Sequence, residues 1–300
     1  MSVPHQKSNK TDLFQSHDYY AIDELLSEDH LLAREAVRAW VKQEVSPIIE
    51  DYANRAECPT HLFKGLGEIG AFGPSLPTEY GGGGMDEIAY GIIMAELERG
   101  DSGLRSMASV QGSLVMYPIY RYASEEQKRK YLPKLATGEM IGCFGLTEPD
   151  HGSNPAGMET TIVDDGDAYI LNGSKMWITN SPVADIAVVW AKDEEGVIRG
   201  MVVEKDMPGY SAPEIHGKWS LRASITGELV FSDVRVPKAN VFPDIRGLKG
   251  PLSCLSKARY GIAWGVLGAA LDCYDSALRY SQERIQFGKP LGQFQLTQKK

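Results

Sequence analysis

The feature that most constrains this chain is a change of apolar rhythm near Met140 and its reversal after Pro251. Before Met140 the spacing is helical. Ser27 is placed to cap a helix that carries Val37, Trp40, Val41 and Val45 on one face, until Pro47 interrupts it. A short helix is expected after Thr60, ending in the break between Gly70 and Pro74. Pro77 and the run Gly81-Gly82-Gly83-Gly84 make a loop before a helix over Asp86 to Arg99. Ile88, Ile92, Ile93, Met94 and Leu97 fall on most sides of that helix, which places it at the centre of a bundle. Ser124 and Gln127 form a capping box for the segment through Leu135.

From Ile141 to Val241 the apolar runs have strand length. They are Ile141–Leu146, Thr160–Val163, Ala168–Leu171, Lys175–Ile178, Ile186–Ala191, Gly200–Lys205 and Gly227–Phe231. Turn signals separate them, among them Asp164-Asp165-Gly166-Asp167 and Asn172-Gly173. Short strands without intervening helices predict an antiparallel barrel or sandwich, and not a parallel sheet with crossover helices. No Gly-x-Gly-x-x-Gly lies between a strand and a helix, so a Rossmann fold has no support. After Pro251 a long helix is expected over Tyr260 to Tyr280, with Gly261, Gly265 and Gly268 as a close-packing face. A turn at Gly288-Lys289-Pro290 and a helix near Phe294 follow. The expected fold class is α+β and multidomain, with a helical domain over 12–139, a β-domain over 140–250 and the start of a second helical domain over 251–300.

Charge then narrows the function. Lys and Arg number 31 against 40 Asp and Glu, a net charge of −9. That balance argues against a nucleic-acid backbone or an anionic membrane as the main partner. Cys58, Cys143, Cys254 and Cys273 form no CxxC pair, so neither a zinc site nor a disulfide framework is expected, and buried free thiols are. The longest nearly apolar run, Tyr260 to Leu271, is too short for a membrane span of ~20 residues. The first 20 residues lack the apolar core of a signal peptide and carry Asp12 and Asp18, unlike a transit peptide. A soluble intracellular protein is expected, in a bacterial cytoplasm or, in a eukaryote, the mitochondrial matrix.

Four strings carry a resemblance: CFGLTEP at Cys143–Pro149, NGSKMWITN at Asn172–Asn180, ARYGIAWGVLGAA at Ala258–Ala270 and RIQFGKPL at Arg284–Leu291. In this order they resemble the acyl-CoA dehydrogenase family over almost the whole chain, from about Asp12 to Lys300, and within it the glutaryl-CoA-oxidising members. The family fold is a helical domain, a middle β-barrel domain and a C-terminal helical bundle. The resemblance implies FAD as cofactor. It implies that Phe144-Gly145-Leu146-Thr147-Glu148-Pro149-Asp150-His151-Gly152-Ser153 line the flavin, with Ser153 also meeting the CoA thioester. A polar turn at a barrel rim fits Pro149 and Gly152 equally well, and Asn154 stands where the family usually has Asp. Trp177, Ile178 and Thr179 are implied to pack against the flavin, with the Thr179 hydroxyl at its edge; an ordinary strand uses the same residue types. Arg284 and Gln295 are implied to reach the FAD of a neighbouring subunit in a homotetramer, although a solvated arginine next to a turn is an ordinary sight.

Leu252-Ser253-Cys254-Leu255-Ser256-Lys257-Ala258-Arg259 match the stretch that meets CoA, or supply only surface charges at a helix start. Glu98, Arg105 and Ser106 set the expected substrate. The resemblance puts Arg105 and Ser106 where the acyl chain ends, and a buried guanidinium there demands an anion. Glu98, two helical turns before Arg105, is its expected partner when substrate is absent, and a solvated surface pair fits the same spacing. The resemblance thus implies FAD-dependent oxidation and decarboxylation of glutaryl-CoA to crotonyl-CoA, with electrons passing to an electron-transfer flavoprotein. The alternatives are oxidation of another short acyl-CoA, oxidation of glutaryl-CoA without decarboxylation, or an inert flavin-fold fragment. The family's base is a glutamate in its last helical segment. No position through Lys300 matches it, so the chain is expected to lack C-terminal helices, to have its base beyond Lys300, to bind FAD poorly and not to turn over. No metal is expected.

Overall fold

The computed structural model describes residues 18–300. The expected domain start at 12 and the leader reading of the first 17 residues lie outside the described residues. Helix α1 (Glu28–Trp40) begins at Ser27, whose hydroxyl accepts from the His30 N–H while the His30 ring accepts from the Ser27 N–H. The His30 ring also bonds Asp86, 2.9 Å away. Asp86 in turn caps helix α4 (Glu87–Gly100) by accepting from the Ala89 N–H, so the starts of two helices are tied together. The chain leaves α1 through a π-helical turn (Val41–Val45) just before Pro47 and continues in α2 (Ile49–Arg55) and α3 (Leu62–Glu68). Beyond α4, Asp101 caps α5 (Ser102–Ser109) by accepting from two backbone N–H groups. A second π-helical turn (Val110–Met116) leads into α6 (Tyr117–Tyr122). The expected Ser124–Gln127 box opens α7 (Glu125–Thr137), which ends at Gly138 with φ of 73°.

Helix α4 is buried on almost every side from Ala89 to Arg99, as its apolar pattern requires. Against it lies α8 (Lys249–Glu283), which starts well before the expected Tyr260. Pro251 falls in its first turn, where a missing N–H breaks no helical hydrogen bond. The close-packing face is real. A Cβ at Gly261 would overlap the Tyr90 hydroxyl, one at Gly265 the Glu98 carboxylate, and one at Gly268 the Ala95 carbonyl oxygen. A hairpin of β8 (Ile285–Gln286) and β9 (Lys289–Pro290) and the short α9 (Gln295–Lys299) follow.

The middle region is one curled sheet of β1 (Gly142–Gly145), β2 (Thr161–Asp165), β3 (Ala168–Thr179), β4 (Ile186–Lys192), β5 (Ile198–Glu204), β6 (Tyr210–Ser211) and β7 (Thr226–Pro237). Most pairs are antiparallel, as expected. The pair β1–β4 is parallel, with Gly142 opposite Ile186, because β1 enters from the helices and returns only through β2 and β3. Strand β2 meets β4 at Thr161 and Lys192, beyond the end of β1, so the two short strands share one edge of β4. Asn172-Gly173 is not a turn. Both residues lie inside the single strand β3, where the register with β7 shifts between Leu171 and Gly173. Gly173 has φ of 138° and a Cβ there would strike Thr160, which is the geometry of a bulge. Asn172 is held by two bonds with Asp233 of β7. Strand β7 also runs on to Pro237, past the expected end at Phe231.

Two apolar cores result. One joins the helices to the face of the sheet that carries Phe144, Val188, Trp190 and Val202; the other packs the opposite face with Cys143, Val189, Leu229 and Phe231. The cysteines are free: Cys143 and Cys254 are buried, Cys58 is half-buried, and Cys273 is exposed, against expectation. Among the described residues no helix is long and apolar enough to cross a membrane.

Replacing Gly268 by alanine forces α4 and α8 apart, because the new methyl meets backbone and not a movable side chain. The Gly268→Ala variant is expected to lose ~1–3 kcal/mol of unfolding free energy, measured by urea denaturation. Full wild-type stability would contradict this packing.

Candidate functional site

A cleft of about 340 Å³ opens where the second π-helical turn, the end of β1, the end of β3 and the start of α8 meet. Val110 and Leu114 form its helical wall, Phe144 and Leu146 its floor. Trp177, Ile178 and Thr179 come from β3, and Leu252, Leu255 and Arg259 from α8. Thr147, Gly152, Ser153 and Pro155 make the rim.

The indole of Trp177 reaches the cleft through a distortion of its strand. The β3–β7 register shifts a second time between Lys175 and Ile178, which leaves Met176 and Trp177 outside the ladder. Trp177 has φ of 62°, a conformation that costs a bulky residue free energy, and the residue is 63% exposed. The freed Met176 N–H donates to the Thr147 carbonyl at 2.8 Å. The bulge thus turns a large flat ring out of the sheet and ties it to the loop opposite.

That loop is fixed from beneath. Glu148 and Lys175 are both buried, with Lys175 at 0% exposure. The ammonium donates to Glu148 Oε1 at 2.8 Å and to the Leu146 carbonyl at 3.3 Å. Glu148 also accepts from the backbone N–H groups of Glu159 and Thr160. Burial works against the Glu148 charge, but the Glu159 N–H, Lys175 and Thr160 outweigh it and hold the carboxyl at about 2. Burial pushes the Lys175 ammonium down to about 8, against the pull of that carboxylate. Glu148 was expected to face the cleft; its side chain instead points into the protein, since a carboxylate bonded by two amides and an ammonium is satisfied there. Gly145 likewise is closed off by Leu229 and Lys175. Pro149 and Asp150 are exposed and His151 packs on Gly157, so of the ten-residue segment Phe144, Leu146, Thr147, Gly152 and Ser153 line the cleft.

The α8 stretch divides by helical period. Leu252, Leu255 and Arg259 share the face toward the cleft. Cys254 and Ala258 are buried among the helices and carry no accessible group, contrary to the expectation for the whole stretch. Ser253 bonds Tyr122 at 2.7 Å, and Ser256 turns back to the Leu252 carbonyl. Lys257 pairs with Glu87 and Ser75 beside a second cavity of about 130 Å³.

Arg105 and Glu98 form a buried ion pair, Nε to Oε2 at 2.5 Å, so the surface reading of this pair is excluded. The pair sits under Gly265, whose missing side chain makes the room. Neither residue lines the cleft itself. Arg105 lies five residues before Val110, about 7.5 Å along the helical path, and Gly265 above the pair lies six residues after Arg259 on α8, about 9 Å. Ser106 is half-buried beside them in sequence. Arg284 and Gln295 are exposed at the far end of α8 and in α9, and within one chain they do not reach the cleft. Among the described residues no carboxylate lines the cleft and no cluster of metal-ligating side chains occurs. Sequence reasoning missed Val110, Leu114 and Pro155, whose spacing gave no signal. It also missed Lys175, although a lone lysine between strand apolar residues was visible.

Residues 27–139 match the model of the acyl-CoA dehydrogenase N-terminal domain, 143–234 that of the middle domain and 246–300 that of the C-terminal domain. The fold is similar to that of a glutaryl-CoA dehydrogenase from Mycobacterium smegmatis in complex with FADH2. The TM-score is 0.91 and the identity 51%, over 93% of this chain and 72% of that one. The sequence is 38% identical to a probable acyl-CoA dehydrogenase of Bacillus subtilis, YngJ, over 91% of this chain and 73% of the relative. It is also 38% identical to the glutaryl-CoA dehydrogenase of Desulfococcus multivorans, over 91% and 72% respectively.

The low carboxyl of Glu148 links loop stability to pH. Its folded value lies below the ordinary ~4.3, so its contribution is complete above that value and is lost as the pH falls toward about 2. Unfolding free energies from urea titrations at pH 7 and pH 3 are expected to fall more for the wild type than for Glu148→Gln. Equal falls would show that the carboxylate is not held in this way.

Proposed function

Because this chain belongs to the acyl-CoA dehydrogenase family, as the three domain matches establish, we propose that it binds FAD in the cleft and oxidises an acyl-CoA ending in a carboxylate, with glutaryl-CoA as substrate. The residues present fit a flavin. An exposed indole offers a stacking face, Phe144, Leu146 and Ile178 an apolar bed, and the Thr147, Ser153 and Thr179 hydroxyls polar contacts at its margin. The bound flavin supplies the hydride acceptor for oxidation of the acyl chain between Cα and Cβ.

Removal of the Cα proton needs a base, and no carboxylate lines the cleft among the described residues; binding and positioning fall to the residues that do. Trp177 would hold the ring, and the Thr179 hydroxyl would offer a hydrogen bond at its margin that tunes it as an acceptor. Leu252, Leu255 and Arg259 guide the CoA arm along α8, where Arg259 offers a cation to its phosphates. Ser153 stands at the rim, where a thioester passes from the CoA arm to the reacting carbons. The substrate assignment rests on the buried Glu98–Arg105 pair. A guanidinium at that depth is stable only beside an anion. Glu98 supplies it in the free protein, and a substrate carboxylate is the second anion that can share it. A plain acyl chain offers nothing to Arg105, so the site favours the dicarboxylic thioester. Fixing that carboxylate would also line it up to leave as carbon dioxide once the neighbouring carbons are oxidised; the electron pair of the broken C–C bond passes into the unsaturated thioester, and the terminal carbon takes up a proton to give crotonyl-CoA. Electrons then pass to an electron-transfer flavoprotein. Arg284, exposed at the end of α8, and Gln295, exposed at the start of α9, reach toward the flavin of a second copy in a homotetramer.

The test is Arg105→Gln assayed on glutaryl-CoA and on butyryl-CoA. A loss of roughly 100-fold or more in kcat/KM on glutaryl-CoA, with little change on butyryl-CoA, is expected. Equal losses on both substrates would sink the glutaryl assignment. Detection of crotonyl-CoA and carbon dioxide against glutaconyl-CoA distinguishes decarboxylation from oxidation alone.

A further inference from the structure

The Lys175–Glu148 pair lies outside the chemistry just described, yet it touches both walls of the cleft. Lys175 is two residues before Trp177 on β3, and Glu148 is one residue after Thr147 in the opposite loop. Three contacts join the two segments: Lys175 to Glu148, Lys175 to the Leu146 carbonyl, and the Met176 N–H to the Thr147 carbonyl. Glu148 carries the connection on to β2 through the Glu159 and Thr160 N–H groups, and the Thr160 hydroxyl returns it to the Ser174 carbonyl. The circuit closes on itself beneath the cleft floor. A buried charge pair is an unusual expedient for stability alone, because an apolar pair of the same volume serves as well. What a hydrogen-bonded pair adds is a defined distance and direction between two backbones.

We propose that Lys175 and Glu148 are positioning residues that set the separation between the Trp177 bulge and the Leu146–Ser153 loop, and so the width of the slot that accepts the flavin ring. This rests on the flavin reading above. The strained backbone of Trp177 supports it, since a residue held at φ of 62° keeps that state only where its surroundings over-determine it. Lys175 supplies two of the bonds that do so. Neither residue touches the ring; both act through the backbone of their neighbours.

The experiment compares the full chain with Lys175→Met, Glu148→Gln and the double variant Lys175→Met/Glu148→Leu. Amide hydrogen exchange is measured without flavin, and FAD binding is measured by titration and by the visible spectrum. The double variant removes both charges together, so it is expected to keep near wild-type thermal stability. Relative to the wild type, all three variants are expected to exchange faster at 147–148, 150–152, 159–160 and 176–178, with no change at the α4–α8 contact. Each is expected to bind FAD roughly tenfold or more weakly with an altered visible band. A merely structural pair gives another result: the double variant recovers stability, local exchange and FAD affinity together, and that outcome overturns the proposal. Variants that unfold singly are judged by the double variant. If the wild type itself shows no FAD binding, the flavin reading fails, and the exchange pattern alone decides whether the pair spaces the two segments.

Discussion

Burial of three charges at the end of α4 organises the helical part of this protein. Glu96, Glu98 and Arg99 are adjacent or nearly so in sequence, all are buried, and each pairs with a different helix. Glu96 meets Arg38 of α1 at 2.8 Å, Glu98 meets Arg105 of α5, and Arg99 meets Asp275 of α8 at 2.9 Å. Leaving any one of these groups unpartnered would cost about 3–5 kcal/mol. Helix α4 therefore cannot rotate or slide relative to its three neighbours without losing a pair. The glycines of α8 allow the close approach that this arrangement demands, and Gly265 does so directly over the Glu98–Arg105 pair.

The sheet solves a similar problem with one pair. Lys175 and Glu148 are buried where β3 and the loop after β1 come together, and the amides of Glu159 and Thr160 complete the carboxylate's bonds. The two frames meet at the cleft. Its helical walls come from segments locked to α4, and its floor and rim from segments locked to Lys175. A site built from four separated pieces of chain keeps one shape because each piece is anchored just behind the surface it presents.

Much of the architecture was legible because it rests on local rules. The caps at Ser27 and Ser124, the helix start near Asp86, the central place of α4 and the small-residue face of α8 all follow from spacing and side-chain chemistry. The strand-length runs marked the sheet, but the joins between them misled. Asn172-Gly173 has turn chemistry, and a bulge uses that chemistry for the same reason, namely freedom at φ. Strand pairing decides between the two, and pairing is set by β7, more than fifty residues away. The cleft residues divide in the same way. The family resemblance marked the segments 144–153, 177–179 and 252–259, while the helical period and the burial of Glu148, Cys254 and Ala258 selected which side chains face the opening.

The amino-acid sequence by itself determined the order of the three regions, the helix caps at Ser27 and Ser124 and a cation seven residues from a carboxylate. These depend on interactions within a few residues. It did not determine that Glu98 ends α4 and Arg105 lies in α5, and not two turns apart on one helix. Only the tertiary structure decided that Arg105 and Glu98 are buried together under Gly265, that β1 runs parallel to β4, and that Trp177 turns outward while Lys175 turns inward. The reason is that burial and pairing are properties of distant segments brought into contact. Whether a charge meets water or a partner is settled by what packs over it, and that is written nowhere in its own neighbourhood.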